Sequence, residues 1–540
     1  MRKTAWYRML ALLFGFALVA VACGSDGNTD AGGSDGEGTE DSSEESSGDA
    51  AADDDGEIGG AADQDEVDAA MEDAADGDGE APAVERPTTI DGWQELWASE
   101  RQAIVDNIVS NGYGLGEDGI LNGPAGFTLD TNACPGDWSN TEGTEDGVIK
   151  IGLTTAQSGA LAAYGNLTRG QQIYFDWLNE TGGIGDEGYQ IEVIVKDDGY
   201  VADLTIEFVA ELLQSDRPFM IQTLGSPNTF AVYNTLNEAC VPQPMVWTGH
   251  QAWGDPEGHP WTTGMQMSYA TESLLWGSWI DQNFDEPVKV AALVMDNDFG
   301  LAYEQGFADY AANNPDVISE VEFVRHDPAA ATLTNEITTL AAEEPNVFIS
   351  MTAGNPCLLA IQEAARAGLI ETADAVFTPS VCKPVASYMA PAGDAADGWY
   401  IIGGGGKDTT DPQWDDDVWI SFSNEKIEEA GGDAEISLQG QGFAERGWAM
   451  EQMLRIAAEL PDGLTRTNLI LAQRGMTNMT HPYFLEGIDF GMNGNEDAYF
   501  IEGSDISVFD ASTQSWNKEG DVIDLSGLSP NCAWVPGSGC

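Results

Sequence analysis

Cations and histidines are scarce in this chain: 20 Lys and Arg stand against 92 Asp and Glu in 540 residues, a net charge of -72, with 4 histidines. A surface so short of positive charge cannot neutralise phosphates, which excludes nucleic acid as a partner. His250, His259, His326 and His481 are scattered, no Cys-x-x-Cys occurs and no histidine stands at ligand spacing from a cysteine, so no metal site is expected. Outside the acidic N-terminal tract there is no G-x-S-x-G, and neither H-E-x-x-H nor a triad pattern occurs, which argues against a hydrolase and against an enzyme in general. The run Gly403 to Gly406 lacks the Lys-Ser/Thr of a phosphate loop and reads as a bend or hinge, and Asp197 and Asp198 end a strand and hold a turn. No cofactor is implied.

A long hydrophobic run is also missing. The apolar stretch Met9 to Ala22, preceded by Arg2, Lys3 and Arg8, falls short of the roughly 20 residues a membrane-spanning helix needs. Residues 1–22 therefore read as a signal peptide. Ala22 before Cys23, with small residues after it, resembles a bacterial lipobox, although Ala20 stands where that pattern more often has Leu. The resemblance implies diacylation of Cys23 and an extracytoplasmic protein anchored to the membrane; simple secretion is the alternative. Residues 23–88 are rich in Gly, Ala, Ser, Asp and Glu and nearly devoid of aromatics, a composition that reads as a disordered, self-repelling tether.

What the chain does hold begins with six further cysteines, an even number in an exported protein. Sequence proximity favours Cys532 with Cys540 and Cys357 with Cys382, leaving Cys134 with Cys240. In residues 89–146, Trp93, Trp97, Ile104 and Ile108 fall near one helical face that stops at Gly112, an N-terminal helical extension. Beyond Gly147 short apolar runs alternate with amphipathic stretches: "VIKIGLTT", "YQIEVIVKDD", "PFMIQTLG", "VPQPMVWTG", "VKVAALVMD", "EVEFVR", "NVFISMTAG" and "AVFTPS". This alternation predicts α/β architecture with parallel sheets flanked by helices. A lapse in rhythm at His259 to Tyr269 marks passage to a second lobe. The expected division is residues 147–265 for the first part of lobe 1, 266–395 for lobe 2, 396–480 for a return to lobe 1, and 481–540 for a return to lobe 2 with a C-terminal tail.

In parallel sheets ligands collect beyond the carboxyl ends of the strands. Ser226 in "LGSPNT" is placed to cap a helix with Pro227 behind it, leaving the amides of Asn228 and Thr229 for a small anion. Other strand ends carry Ser158 and Tyr164, Thr248 to Gln251, Asp296 to Gly300, and Ser380.

The ordered motifs "IKIGLTTAQSGALAAYG", "NETGGIGDEGYQIEVIVKDDGYVADLT", "GSPNTFAVYNTLNEACVPQPMVWTGHQAWGDP" and "HPWTTGMQMSYATES" resemble the periplasmic-binding-protein type I family. Within it they are similar to the branched-chain amino acid binding lipoproteins of ABC transporters. The resemblance, over about Val148 to Leu525, implies two doubly wound parallel-sheet lobes joined by three crossovers, with a ligand cleft between them. It implies delivery of a small polar solute (amino acid, amide or carboxylate) to an ABC permease. A sensory receptor module of the same fold is the second reading, and a secreted hydrolase a distant third. Carried over residue by residue, it places Tyr164 in the cleft lining and the Ser226 to Thr229 corner with Gly249, His250 and Gln251 on a ligand carboxylate. Phe299 becomes an aromatic wall from the second lobe, faced by Ala353 and Gly354. Two departures stand out: no acid lies near Ser380 and Val381 to pair with a ligand ammonium, and His250 and Gln251 replace smaller Ala and Thr types.

Overall fold

The computed structural model describes residues 60–76, 86–535 and 539–540. The signal peptide, Cys23 and most of the tether expected over 23–88 lie outside the described residues. Within that segment, residues Gln64–Asp76 form helix α1, which differs from the expectation of disorder. Val67, Met71 and Ala74 recur at helical spacing and are buried against a neighbouring helix and strand, a stripe too short to stand out in so acidic a tract. Asp68 accepts a hydrogen bond from Ser278, and Gln64 and Asn314 exchange amide hydrogen bonds.

Helix α2 (Ile90–Ser110) buries Trp93, Trp97, Ile104 and Ile108 as the spacing predicts, and is followed by a small antiparallel sheet of β1 (Gly114–Leu115), β2 (Ile120–Asn122) and β3 (Thr128–Asp130). The first lobe then begins with β4 (Val148–Thr155), α3 (Gly165–Glu180), β5 (Gln190–Asp197), α4 (Ala202–Glu211), β6 (Met220–Thr223), α5 (Ser226–Glu238), β7 (Gln243–Val246) and β8 (Thr262–Gly264). Strands pair in parallel in the order β5-β4-β6, and a parallel bridge between Leu224 and Trp247 continues the sheet to β7 and β8. The central strands β4 and β6 are buried nearly throughout, whereas the edge strand β5 carries exposed positions.

The second lobe runs through α6 (Tyr269–Asn283), β9 (Val288–Met295), α7 (Asp298–Asn313), β10 (Ile318–His326), α8 (Thr334–Ala342), β11 (Val347–Met351), α9 (Asn355–Arg366), β12 (Ala375–Pro379) and β13 (Tyr400–Ile402). The sheet order is β10-β9-β11-β12-β13-β14-β15, where the last two strands (β14, Ser504–Asp510; β15, Ser515–Ile523) join antiparallel at the edge. Between β13 and β14 the chain returns to the first lobe with α10 (Val418–Glu429), α11 (Ser437–Gln441), α12 (Trp448–Glu459) and α13 (Arg466–Arg474). The chain thus passes between the lobes near Met265 to Ser268, at Gly403 to Gly406, and near Glu502. Gly405 takes φ +46° at the second passage, where a side chain would collide with Ile488.

Disulfides join Cys134 to Cys240, Cys357 to Cys382 and Cys532 to Cys540, the pairing that proximity favours.

Candidate functional site

Helices α11 and α12 are joined without a break by one wide turn, Gly442–Gly447, of π-helical pitch. The turn lies hard against α3: a side chain at Gly442 would strike the backbone of Leu167, and one at Gly447 the ring of Tyr174. Such wide turns displace side chains from the regular helical positions and recur at functional sites. Here the turn carries Glu445 and Arg446, both nearly inaccessible to solvent, into a cavity between the lobes.

The cavity, counted together with the open solvent at its mouth, holds about 1030 Å³ of space between atoms. The first lobe contributes Tyr164, Tyr200, Leu224, Trp247 and Thr248 along with Glu445, Arg446 and Tyr483; the second contributes Tyr269, Phe299, Ala353, Ser380 and Lys383. The two sides touch. The amide of Gly354 donates to the Tyr164 hydroxyl at 3.1 Å, and Thr248 Oγ1 lies 3.4 Å from the Tyr269 hydroxyl.

Of the residues singled out from sequence, the structure brings Tyr164, Thr248, Phe299, Ala353 and Ser380 together in this lining. It does not bring the others. Ser158 is exposed, its amide donating to Asp197 at 3.2 Å. The "LGSPNT" corner is consumed by its own surroundings: Ser226 Oγ pairs with Thr248 at 2.6 Å, and Asn228 donates to Asp198 and Thr205 at 3.1 and 2.7 Å. The Thr229 amide donates to Gly225 O at 2.9 Å and its hydroxyl meets Thr223 at 2.8 Å. Gly225, which precedes the first helical residue Ser226, lies under the ring of Tyr200 and lines the cavity, whereas Ser226, Asn228 and Thr229 do not. Gly249 is pressed against Met267 and Tyr269, and Gly354 against Leu161, so both serve close approach. His250 and Gln251 face another groove; His250 Nδ1 accepts from the Ala252 amide at 3.1 Å, and burial depresses its pKa to about 3.

The acid sought near Ser380 arrives from α6 instead. Glu272 accepts from the Ser380 amide (2.7 Å), the Ser380 hydroxyl (2.8 Å) and the Tyr303 hydroxyl (2.7 Å), and burial lifts its carboxyl to about 7 against the pull of those donors. It stands behind Ser380 and not in the cavity wall.

Four ionisable side chains of opposite sign do reach the wall. Lys383 is paired with Asp505 at 3.1 Å, and Asp408 accepts from the Val385 amide (2.9 Å), the Thr410 amide (2.6 Å) and the Thr410 hydroxyl (2.7 Å). Glu445 and Arg446 approach only to 3.7 Å, and the guanidinium lies 5.5 Å from the Trp247 ring centre. Burial raises the Glu445 carboxyl, with Arg446 pulling it back down. Sequence reading missed this pair, although a Glu-Arg dipeptide inside the apolar stretch "GFAERGWAM" signals charge carried into a core. Among the described residues no cluster of His, Cys, Asp and Glu could hold a metal ion.

The sequence profile of the periplasmic binding proteins matches residues 148–497. The chain belongs to that family. No curated protein sequence matches it. As a periplasmic binding protein it shares its fold with the fatty acid ABC transporter substrate-binding protein from Thermomonospora curvata (18% identity, 75% of this chain and 95% of that one, TM-score 0.57). It is also similar to a branched chain amino acid ABC transporter protein from Thermus thermophilus with bound valine (17%, 71% and 97%, TM-score 0.61). A third similar structure is the ABC transporter solute-binding protein from Rhodopseudomonas palustris BisB5 with 3,4-dihydroxybenzoic acid (18%, 72% and 99%, TM-score 0.58). Members of the family are binding proteins, and their extracytoplasmic location follows from the family.

Proposed function

We propose that this protein is the solute-binding component of an ABC importer, held outside the cell membrane by a lipidated Cys23, and that closure of its two lobes traps a small polar organic solute for delivery to the permease. The observation that carries this reading is the cavity walled by both lobes, with the Gly354 amide bonded to the Tyr164 hydroxyl across it. A ligand that touches both walls stabilises the closed arrangement by its differential affinity, and no covalent step is needed. The structural neighbours with bound valine and 3,4-dihydroxybenzoic acid lend support, since their ligands are small organic acids.

The test is a thermal-shift screen of amino acids, amides, carboxylates and polyols, followed by small-angle scattering with each hit. A hit should raise the unfolding midpoint and shrink the radius of gyration. A protein that neither stabilises nor contracts with any class is not a solute carrier.

A further inference from the structure

Resting on that solute-binding reading, we infer that Arg446 is the anion receptor of the cavity and that the solute is a carboxylate with an apolar body. The lining offers two cations and two acids, and they are not equivalent. Lys383 and Asp408 are satisfied within the protein, by Asp505 and by the three donors from Val385 and Thr410. Arg446 is not. Its Nη2 reaches Glu445 only at 3.7 Å, while Nε and Nη1 find no acceptor among the described residues, although the side chain is 3% exposed. The indole N–H of Trp247, which also lines the cavity, has no acceptor either.

Buried N–H groups normally have partners, and a buried guanidinium without them is costly to keep. A group that supplies acceptors from the cavity side removes that cost, and a carboxylate offers two oxygens of the matching charge. Glu445, 3.7 Å away and with its own Oε2 unpartnered among the described residues, balances the guanidinium's charge from one side and leaves its nitrogens to the solute. The wide turn that bears the pair is wedged against α3 at Gly442 and Gly447, so the receptor is presented on a rigid mount. Around it the walls are rings, among them Tyr164, Tyr200, Trp247 and Phe299, which suit an apolar body better than a polyol.

The experiment compares acids with their amides on the intact protein: benzoate with benzamide, 4-hydroxybenzoate with 4-hydroxybenzamide, and L-leucine with L-leucinamide, by calorimetric titration at pH 7. At least one acid should bind, its amide about tenfold more weakly or worse, and Arg446→Gln should weaken the acid by ~10- to 100-fold while narrowing its advantage over the amide. An amide that binds as tightly as its acid, or an R446Q protein that keeps full affinity for the acid, overturns the assignment. Should R446Q fail to fold, the acid and amide comparison on the unaltered protein decides alone. If an amide or polyol contracts the lobes while every acid fails, the arginine receptor is wrong and the solute-binding reading stands. If no compound of any class stabilises or contracts the protein, the solute-binding reading itself fails.

Discussion

Glu272 holds its carboxyl in a fully enclosed seat between Ser380 and Tyr303. Its pKa is raised from 4.5 to about 7, chiefly by burial, so the folded protein binds this proton more tightly than the unfolded chain does. The stability it contributes is present below about pH 4.5 and is lost as pH rises through about 7, a change on the order of 3 kcal/mol. Glu272→Gln should therefore flatten part of the fall in unfolding midpoint between pH 5 and 8; an unchanged pH profile would remove Glu272 from that role. Glu502, also lifted to about 7 by burial, acts in the same window and will remain in the variant. His250 works in the opposite sense: its neutral form contributes above about 6.5, and that contribution is lost as pH falls towards about 3. At Gly354, φ is +66° and a Cβ would run into Leu161 across the lobes. Gly354→Ala is expected to hold the lobes apart and to weaken solute binding on the order of tenfold, measured by titration, and to lower the unfolding midpoint as well, because alanine at this left-handed backbone position is strained. Of the residues in and behind the cavity wall, the positions of Tyr164 and Phe299 were legible because each follows a strand that announces itself. Glu272 was not, because it meets Ser380 across 108 residues of sequence and α6 gives no local sign of it.

At the scale of elements, the strands were readable because burial on both faces leaves unbroken apolar runs such as "VKVAALVMD". Helix α1 escaped because three buried side chains among acidic neighbours barely raise the local hydrophobicity. The turn Gly442–Gly447 escaped for a different reason: one extra residue per turn changes which side chains face inward but leaves the composition of a helix unaltered. The Ser226 corner shows the converse. Its residues have the chemistry of an anion site, and the structure spends them on Asp198, Thr205, Thr223 and Thr248. The Cys134 to Cys240 bridge ties the extension ahead of β4 to the end of α5 over 106 residues of sequence. Replacing both cysteines by Ser should cost about 2 to 4 kcal/mol in urea unfolding under oxidising conditions, and no change there would mean that the reduced chain is already held by its packing.

The whole molecule is governed by its charge. With 92 acidic side chains against 20 basic ones, the surface repels itself, and mobile cations relieve that repulsion. Raising NaCl from about 10 mM to 0.5 M should raise the unfolding midpoint by on the order of a few °C; a midpoint that falls would mean that specific ion pairs such as Arg325 with Glu304 outweigh the general repulsion. The two-lobed plan was legible from alternation and from the break near His259, since each lobe needs its own run of strands. The added passage at the N-terminus was not. Helix α1 packs on the second lobe at β15 and α6, whereas Arg86 donates to the carbonyls of Phe484 and Leu485 at 2.7 and 2.9 Å in the core of the first. Ten residue steps separate Asp76 from Arg86. At no more than about 3.6 Å per residue, the covalent chain can span at most roughly 36 Å between these two points, one on each lobe. If the lobes part as the proposed carrier role requires, Asp76 and Arg86 can separate by no more than that contour length while both ends stay seated.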